Sequence, residues 1–238
     1  MSQSMSQSMS QAQQRSPMSA PHPTPALPIV PLLLLPEEGA ALFVDVETDG
    51  LGGFRPPRQR VMQVAWVLAD MREGGWREEG CFLVKGVRAV NPLVPHDITP
   101  KRCQERGEPF EEAACGLAAA MRRADCVIAH NADFDVGCLL RELELRGCDD
   151  DAVGGLGALL RGKRVVCSMR ETTQFCGIPR ARGGGCKFPT LAELHTVVTG
   201  AAPAEPLHDA LNDCRVLERC VRGLCAPARP RSVSPGAA

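Results

Sequence analysis

The chain contains no tyrosine, and aromatic residues make up only 4% of its 238 residues. No aromatic surface of the kind found in RNA-recognition modules is therefore expected. Cysteine is plentiful, at 12 residues, but no two cysteines stand in a Cys-x-x-Cys spacing. The absence of this spacing counts against a zinc ribbon or a thioredoxin-like redox pair. Many of the cysteines stand at apolar positions, so we interpret them as small buried hydrophobes in a reducing compartment.

Net charge is also small, at −1. Any attraction to a phosphate backbone must then come from local basic clusters and from bound metal. The apolar stretch over residues 29–35 is interrupted by Pro31 and is too short to cross a bilayer. We expect no membrane association and an intracellular location, in the cytoplasm or the nucleus.

Low-complexity segments stand at both ends of the chain. Residues 1–38 are rich in Ser, Gln and Pro, with Arg15 as the only charge before Glu37, which predicts a disordered tail. Their abundant Ser also leaves import into an organelle open. Residues 226–238 are rich in Pro, Arg and Ser and are predicted to form a second disordered tail. One globular domain is expected over residues 39–225.

The order of apolar patterns predicts an α/β fold. Strands are expected over residues 40–46, 61–69, 81–84, 126–129 and 165–167, and helices over residues 109–123, 133–146, 168–176, 190–199 and 209–224. Three successive strands predict an antiparallel meander, which β-α units then continue. The predicted architecture is a ribonuclease H-like mixed five-stranded sheet covered by helices, with the first strand near its centre.

Two acids alternate with apolar residues in the first strand. Asp45 and Glu47 are two residues apart, so their side chains point to the same face. Like charges on a buried face resist desolvation unless a cation lies between them. The alternative is that the strand ends at Val44 and both acids belong to a solvated turn with Asp49.

A third acid follows the fourth strand. Asp135 lies near the start of the next helix, beyond the carboxyl end of the strand, where sites in α/β proteins commonly form. The alternative is an ordinary acid favoured by the helix dipole. Asp133 competes for the same role, but it is also the better candidate for the N-cap of the helix, which favours Asp135 as the ligand.

A histidine and a fourth acid stand near the carboxyl end of the chain. His208 and Asp213 are five residues apart, about 140° out of phase on a continuous helix. They converge only if His208 precedes the helix, as Pro206 supports. An accessible imidazole suits a general base, and an incidental surface histidine is the alternative. Four carboxylates and one imidazole are sufficient to hold two divalent cations and deprotonate a water, which is chemistry that hydrolyses phosphodiesters.

The three acidic segments resemble the exonuclease motifs of the DEDD superfamily in its histidine-containing branch, DEDDh. They are residues 43–51 (FVDVETDGL), 130–135 (HNADFD) and 208–213 (HDALND). This branch includes RNase T and the epsilon proofreading subunit of bacterial DNA polymerase III. The sister branch uses a tyrosine in its third motif and is excluded, because the chain has none.

The resemblance implies a 3′→5′ exonuclease that releases nucleoside 5′-monophosphates from the 3′ ends of single-stranded DNA or RNA, with DNA slightly favoured. It implies two Mg²⁺ or Mn²⁺ ions, bridged by Asp45. Glu47 and Asp213 would complete one metal site, and Asp135 would support the other. His208 would take the proton from the attacking water. Some relatives are homodimers, which leaves a homodimer open here.

Substrate contacts follow in part from the same resemblance. Thr48 and Leu51 match positions that hold the terminal nucleotide, and Asn131 and Phe134 would shape the pocket. Arg55 belongs to a basic loop directly after the first motif, and we expect it to contact the phosphate backbone. Further basic clusters cover residues 161–164 and 180–187.

Two questions stay open at the level of sequence. Asp49, Asp133 and Asp209 each offer an alternative metal ligand, because acids are crowded in all three motifs. An alternative function from another class is a nucleic-acid-binding or adaptor module that has this fold but performs no hydrolysis.

Overall fold

A computed structural model gives the fold and describes residues 39–51 and 59–225. The strands are β1 (Ala40–Thr48), β2 (Val61–Asp70), β3 (Arg77–Leu83), β4 (Cys126–Ala129) and β5 (Val165–Cys167). They form one five-stranded sheet in the order β3-β2-β1-β4-β5. β1 pairs antiparallel with β2 and parallel with β4. The sheet is therefore mixed, with β1 at its centre, and the predicted α/β architecture is confirmed.

The helices agree with the sequence patterns less closely than the strands do. They are α1 (Pro100–Arg106), α2 (Phe110–Arg123), α3 (Ala132–Arg146), α4 (Leu156–Gly162), α5 (Ser168–Glu171), α6 (Thr173–Cys176), α7 (Leu191–Thr199) and α8 (Ala210–Cys225). Two of them, α1 and α4, were not predicted. Each has only seven residues, too short for a helical hydrophobic period to be recognised. The helix predicted over residues 168–176 is two short helices that meet at Thr172.

Side chains along β1 alternate between two helical layers. Leu42, Val44 and Val46 pack in one core with α2, α3 and α4. Phe43 lies in a second core with α7 and α8, on the opposite face of the sheet. Because successive strand residues point to opposite faces, Asp45 and Glu47 lie on the side of Phe43, toward α8.

Some sequence features fall outside this architecture. The predicted tails, residues 1–38 and 226–238, and the predicted substrate contact Arg55 lie outside the described residues. All twelve cysteines lie inside them and are free thiols, five of them buried. Among the described helices, none combines the length and the apolar character needed to cross a membrane.

Candidate active site

The first pair of acids lies at the carboxyl end of the central strand. β1 continues to Thr48, so the alternative that the strand ends at Val44 is wrong. On β2, Ala65 lies opposite Asp45 and Gln63 lies opposite Glu47. The small alanine leaves space beside Asp45, and both carboxylates project from the same face of the strand.

Asp135 reaches this strand from the first turn of α3. The ladder between β1 and β4 runs from Ala41 to Phe43. Val46 lies beyond that ladder, and its N–H donates to Asp135 Oδ1 at 3.1 Å. Asp135 is 2% exposed, and its other oxygen, Oδ2, is buried without a hydrogen-bond partner among the described residues. A buried carboxylate oxygen without a donor is costly unless a cation approaches it.

The start of α3 differs from the sequence prediction. Asn131, rather than Asp133, occupies the N-cap position, and its φ of 86° is left-handed. Asparagine adopts this conformation more readily than most residues. The turn at Asn131 brings the first turn of α3 over the end of β1. The need for a left-handed backbone at this turn therefore accounts for the asparagine. Phe134, the other predicted pocket residue in this motif, is partly buried against the core on the α2 side.

The third motif bends around the start of α8. The helix begins at Ala210, and the residue before it, Asp209, accepts from Asn212 N at 3.2 Å. His208 therefore precedes the helix, as predicted, with a left-handed φ of 68°. Its N–H donates to Asp213 Oδ1 at 3.1 Å. This turn brings the two residues together although they are out of phase on a helix.

Glu47, His208 and Asp213 converge in space. One ligand atom from each lies within 4.8 Å of the others. His208 is exposed, whereas Asp213 is partly buried. The imidazole is thus at the mouth of the site, and the carboxylates lie behind it.

Gln63 is a site residue that the motifs did not reveal. Its side chain is buried, and its Nε2 donates to Asp209 Oδ2 at 3.1 Å. Its Oε1 accepts from Ala210 N at 3.0 Å. These bonds attach the start of α8 to β2 beside Glu47. A single polar residue inside an apolar strand was the signal that could have identified it.

The three alternative ligands are engaged in other contacts. Asp49 Oδ1 accepts from Arg60 N at 2.8 Å and closes the ends of the loop between β1 and β2. Asp133 pairs with Arg170 of α5, and Asp209 receives Gln63 as described above. These contacts favour Asp45, Glu47, Asp135 and Asp213 as the carboxylates that face the common space.

A buried ion cluster supports the same end of the sheet. Glu142 lies two turns after Asp135 on α3 and is 0% exposed. It accepts from the Arg60 guanidinium at 2.8 Å, from Val61 N at 3.2 Å and from Arg146 Nε at 2.6 Å. Glu142 lies outside the three motifs because it holds the neighbouring strand and loop rather than facing the site.

Burial and mutual repulsion make the carboxylates of the site hard to ionise. The pKa of Asp45 lies well above its usual value because of burial first, and then because of Asp135, Asp213, Glu47 and Asp209. Burial likewise raises the pKa of Asp135 well above its usual value. Burial and the neighbouring acids raise the pKa of Glu47 to about 8 and that of Asp213 to about 7. Such a cluster is stable in its charged form only with compensating positive charge.

The donors fit a hard divalent cation. They are carboxylate oxygens with one imidazole, a set that suits Mg²⁺ or Mn²⁺ better than a thiolate-preferring metal. Asp135 Oδ2, which has no hydrogen-bond partner among the described residues, and the raised pKa values of the neighbouring acids both favour a cation close to the carboxylates. The residues present therefore fit the metal chemistry that the motif resemblance implied.

A cavity opens beside the end of β1. It has a volume of about 390 Å³ and is lined in part by Gly50, Leu51, Gln59 and Asn91. Leu51 is 51% exposed, as a residue available to a ligand must be. Thr48 is buried, and its Oγ1 donates to Gly50 O at 2.9 Å. The hydroxyl thus shapes the turn that forms one wall.

A second histidine stabilises that turn. His96 Nδ1 accepts from Ile98 N at 3.2 Å, so the proton is on Nε2, which donates to Thr48 O at 2.8 Å. Burial lowers the pKa of His208, and His96 lowers it further. His96 stands in an irregular segment far from the acidic motifs, so no sequence pattern marked it as a neighbour of the site.

Comparison with known proteins identifies the fold. No protein-family model and no curated protein sequence matches the chain. Solved structures do match. An exonuclease I structure superposes with a TM-score of 0.60 at 20% identity, over 78% of this chain and 40% of that one. E. coli exonuclease I in complex with a dT13 oligonucleotide gives 0.56 at 18% identity, over 77% and 40%. A 3′-exonuclease that recognises the histone mRNA stem-loop gives 0.58 at 12% identity, over 79% and 64%.

These neighbours are exonucleases by name, which is the class of protein that the motif resemblance implied. The chain has their ribonuclease H-like fold. It spans about two fifths of the length of the exonuclease I chains and 64% of the histone mRNA 3′-exonuclease chain.

Proposed function

We propose that this protein is a metal-dependent 3′→5′ exonuclease that removes nucleoside 5′-monophosphates from single-stranded nucleic acid. The observation that carries the proposal is the convergence of four carboxylates and His208 at the end of β1. Glu47, His208 and Asp213 offer ligand atoms within 4.8 Å of one another, and Asp135 Oδ2 is buried without a partner among the described residues. A protein with a purely structural sheet has no physical reason to keep buried like charges together.

Each site residue has a distinct role in this proposal. Asp45, Glu47, Asp135 and Asp213 would hold two Mg²⁺ or Mn²⁺ ions. When bound, these ions neutralise the phosphodiester charge and assist the attacking water. Asp45 is central because the charges of all three other carboxylates raise the pKa of its carboxyl group.

His208 would act as the general base. The inner side of its imidazole is partly desolvated, and this lowers the pKa of the ring, so the ring is neutral at physiological pH and able to accept a proton. It is exposed, so it can approach a water on the open side of the site. Its left-handed backbone directs the chain back toward Asp213.

The substrate end would bind beside the turn after β1. Leu51 and the cavity next to it would accept the terminal nucleotide, and Thr48 maintains the shape of the wall. Single-stranded DNA is slightly favoured as the substrate, and the complex of E. coli exonuclease I with a dT13 oligonucleotide supports this choice. The neighbour that recognises a histone mRNA stem-loop keeps RNA as the competing substrate.

The test is cleavage of matched single-stranded DNA and RNA oligonucleotides labelled at the 5′ end, with Mg²⁺, Mn²⁺ or EDTA. The proposal expects a metal-dependent ladder that shortens from the 3′ end, with the faster substrate naming the nucleic acid. The Asp45→Asn variant is the inactive control. If the wild type binds the oligonucleotides but cleaves none of them in Mg²⁺ or Mn²⁺, the proposed enzymatic activity is contradicted and a binding module is favoured.

A further inference from the structure

A glycine-tipped hairpin projects between α6 and α7. The basic hairpin, residues 177–187, is closed by an antiparallel bridge between Pro179 and Cys186 and by Lys187 N donating to Ile178 O at 2.8 Å. Its tip is formed by residues 183–185, three glycines with φ of 79°, 83° and 92°. These left-handed angles are strained for other residues. The tip therefore requires glycine, and it keeps the two sides of the hairpin paired.

The charge of this region is of one sign. Residues 172–192 contain Arg180, Arg182 and Lys187 but no Asp or Glu. Lys187 pairs with Glu193 at the base. Arg180 and Arg182 are exposed near the tip. Arg180 Nε donates a hydrogen bond to the Cys186 carbonyl at 3.1 Å, which orients the guanidinium group. The protein as a whole has a charge of −1, so this local excess is not a general property of its surface.

Two exposed aromatic rings flank the base of the basic hairpin. Phe175 is 57% exposed and Phe188 is 53% exposed. The contact of Cys186 Sγ with Gln174 Oε1 at 3.8 Å keeps the two flanks together. Trp76, another exposed ring, is covered by Arg123 at 5.1 Å. An aromatic-poor chain thus leaves two rings uncovered beside its uniformly basic segment, and this juxtaposition was not apparent from the sequence.

The basic hairpin is anchored to the second acidic motif. Phe188 is followed by Pro189, whose carbonyl lies 3.0 Å from His130 Nε2. On the other flank, Arg170 pairs with Asp133. His130 is held neutral, since burial lowers its pKa to about 4. A ligand on the hairpin therefore lies next to the segment that carries Asp135.

We propose that the basic hairpin, together with Phe175 and Phe188, is a second binding site for single-stranded nucleic acid, separate from the metal cluster. The phenylalanine rings stack on bases, and Arg180 and Arg182 contact phosphates. Basic residues combined with accessible rings are the usual chemistry for holding single strands without reading their sequence. The site rests on the proposed function, because it would retain the part of the strand that has not yet reached the active site.

The test compares long and short single strands by fluorescence anisotropy, with the full chain in EDTA to prevent cleavage. The probes are 5′-labelled oligonucleotides of about 16 and about 4 nucleotides, as DNA and as RNA. The variants are Phe175→Ala/Phe188→Ala and Arg182→Ala. The matched controls are Leu145→Ala, which also truncates an exposed apolar residue, and Arg106→Ala, which also removes an exposed arginine.

The double phenylalanine variant is expected to raise the Kd of the long strand by about tenfold or more, with little change for the short one. Arg182→Ala should lower the dependence of log Kd on log salt by about 0.7. The controls should bind as the wild type does. The DNA and RNA arms show which nucleic acid the site holds.

Equal binding of the long strand by the double variant and the wild type would overturn the inference. An equal loss for both lengths would also overturn it, because the rings would then act inside the active site. If the double phenylalanine variant binds strands as the wild type does, the exposed rings would instead suit a protein partner. If the wild type binds long strands through the hairpin but cleaves none in Mg²⁺ or Mn²⁺, the proposed function fails while the second site stands.

Discussion

Replacing Glu47 by glutamine should stabilise the metal-free protein at alkaline pH while removing its activity. The folded structure raises the pKa of Glu47 from 4.5 to about 8. The folded state therefore holds a proton between these two pH values that the unfolded state has released. Since the folded state binds more protons, the free energy of unfolding falls as the pH rises through this window.

The size of the effect follows from the same shift. A difference of 3.5 pH units, from 4.5 to about 8, corresponds to about 5 kcal/mol once both states are ionised. Glu47 is partly exposed, so water reduces this repulsion, and we expect Glu47→Gln to gain about 2 kcal/mol at a pH of about 8.5. Below the ordinary pKa of glutamate the carboxyl is neutral in both states, and the two proteins should differ little.

The assay is urea unfolding of wild type and variant in EDTA over a series of pH values. Addition of Mg²⁺ should then stabilise the wild type more than the variant, because the variant has lost a ligand. A Glu47→Gln protein that is less stable than the wild type by the same amount at every pH would refute the electrostatic reasoning. It would show that Glu47 is held by favourable hydrogen bonds instead.

Glu142→Gln is the matched control, with the opposite sign. Burial tends to raise the pKa of Glu142, but hydrogen bonds from Arg60 and Arg146 hold it below its usual value. Its charge therefore stabilises the fold above the ordinary pKa of glutamate, and this stabilisation is lost as the pH falls. Removing the charge leaves the partly buried guanidinium groups of Arg60 and Arg146 without their carboxylate and should cost about 3 kcal/mol near neutral pH.

Three further changes test the site. Asp45→Asn should abolish nuclease activity without lowering the melting temperature in EDTA, measured by circular dichroism, because burial and four neighbouring acids disfavour its charge. His208→Gln should lower kcat about 100-fold or more. In the wild type at saturating Mg²⁺, the acidic limb of the pH–rate profile should lie below the usual histidine pKa, because burial and His96 lower the pKa of His208. Gln63→Leu should lower activity and destabilise the fold by about 1–3 kcal/mol, since Ala210 N would lose its acceptor.

Each of these predictions has an outcome that contradicts it. A fully active Asp45→Asn protein would remove the metal assignment. An acidic limb that persists unchanged in His208→Gln would assign that ionisation to another group. Wild-type activity in Gln63→Leu, measured with the same oligonucleotide, would show that α8 is positioned without this side chain.

The local sequence was sufficient to predict a strand or a helix where its hydrophobic periodicity is strong. Runs of apolar residues located four strands closely, and the meander followed by β-α units predicted the mixed sheet with β1 at its centre. The third strand begins at Arg77, four residues before its predicted start, because its first half is polar. The short helices α1 and α4 were missed, because seven residues contain too few turns to show a hydrophobic face. The N-cap of α3 was predicted at Asp133 only because aspartate is a favoured residue type at that position. The backbone instead required a left-handed residue at Asn131.

The sequence by itself determined which groups the candidate site contains, since the three motifs supply four carboxylates and an imidazole. Only the tertiary structure decided which acids face one another and what holds them there. Asp135 is oriented by Val46 N, 89 residues away, and the start of α8 by Gln63, 147 residues from Ala210. Hydrogen bonds over such separations leave no periodic pattern along a chain. They form only once packing has removed water from the end of β1, because the backbone N–H groups buried there then need acceptors within the fold.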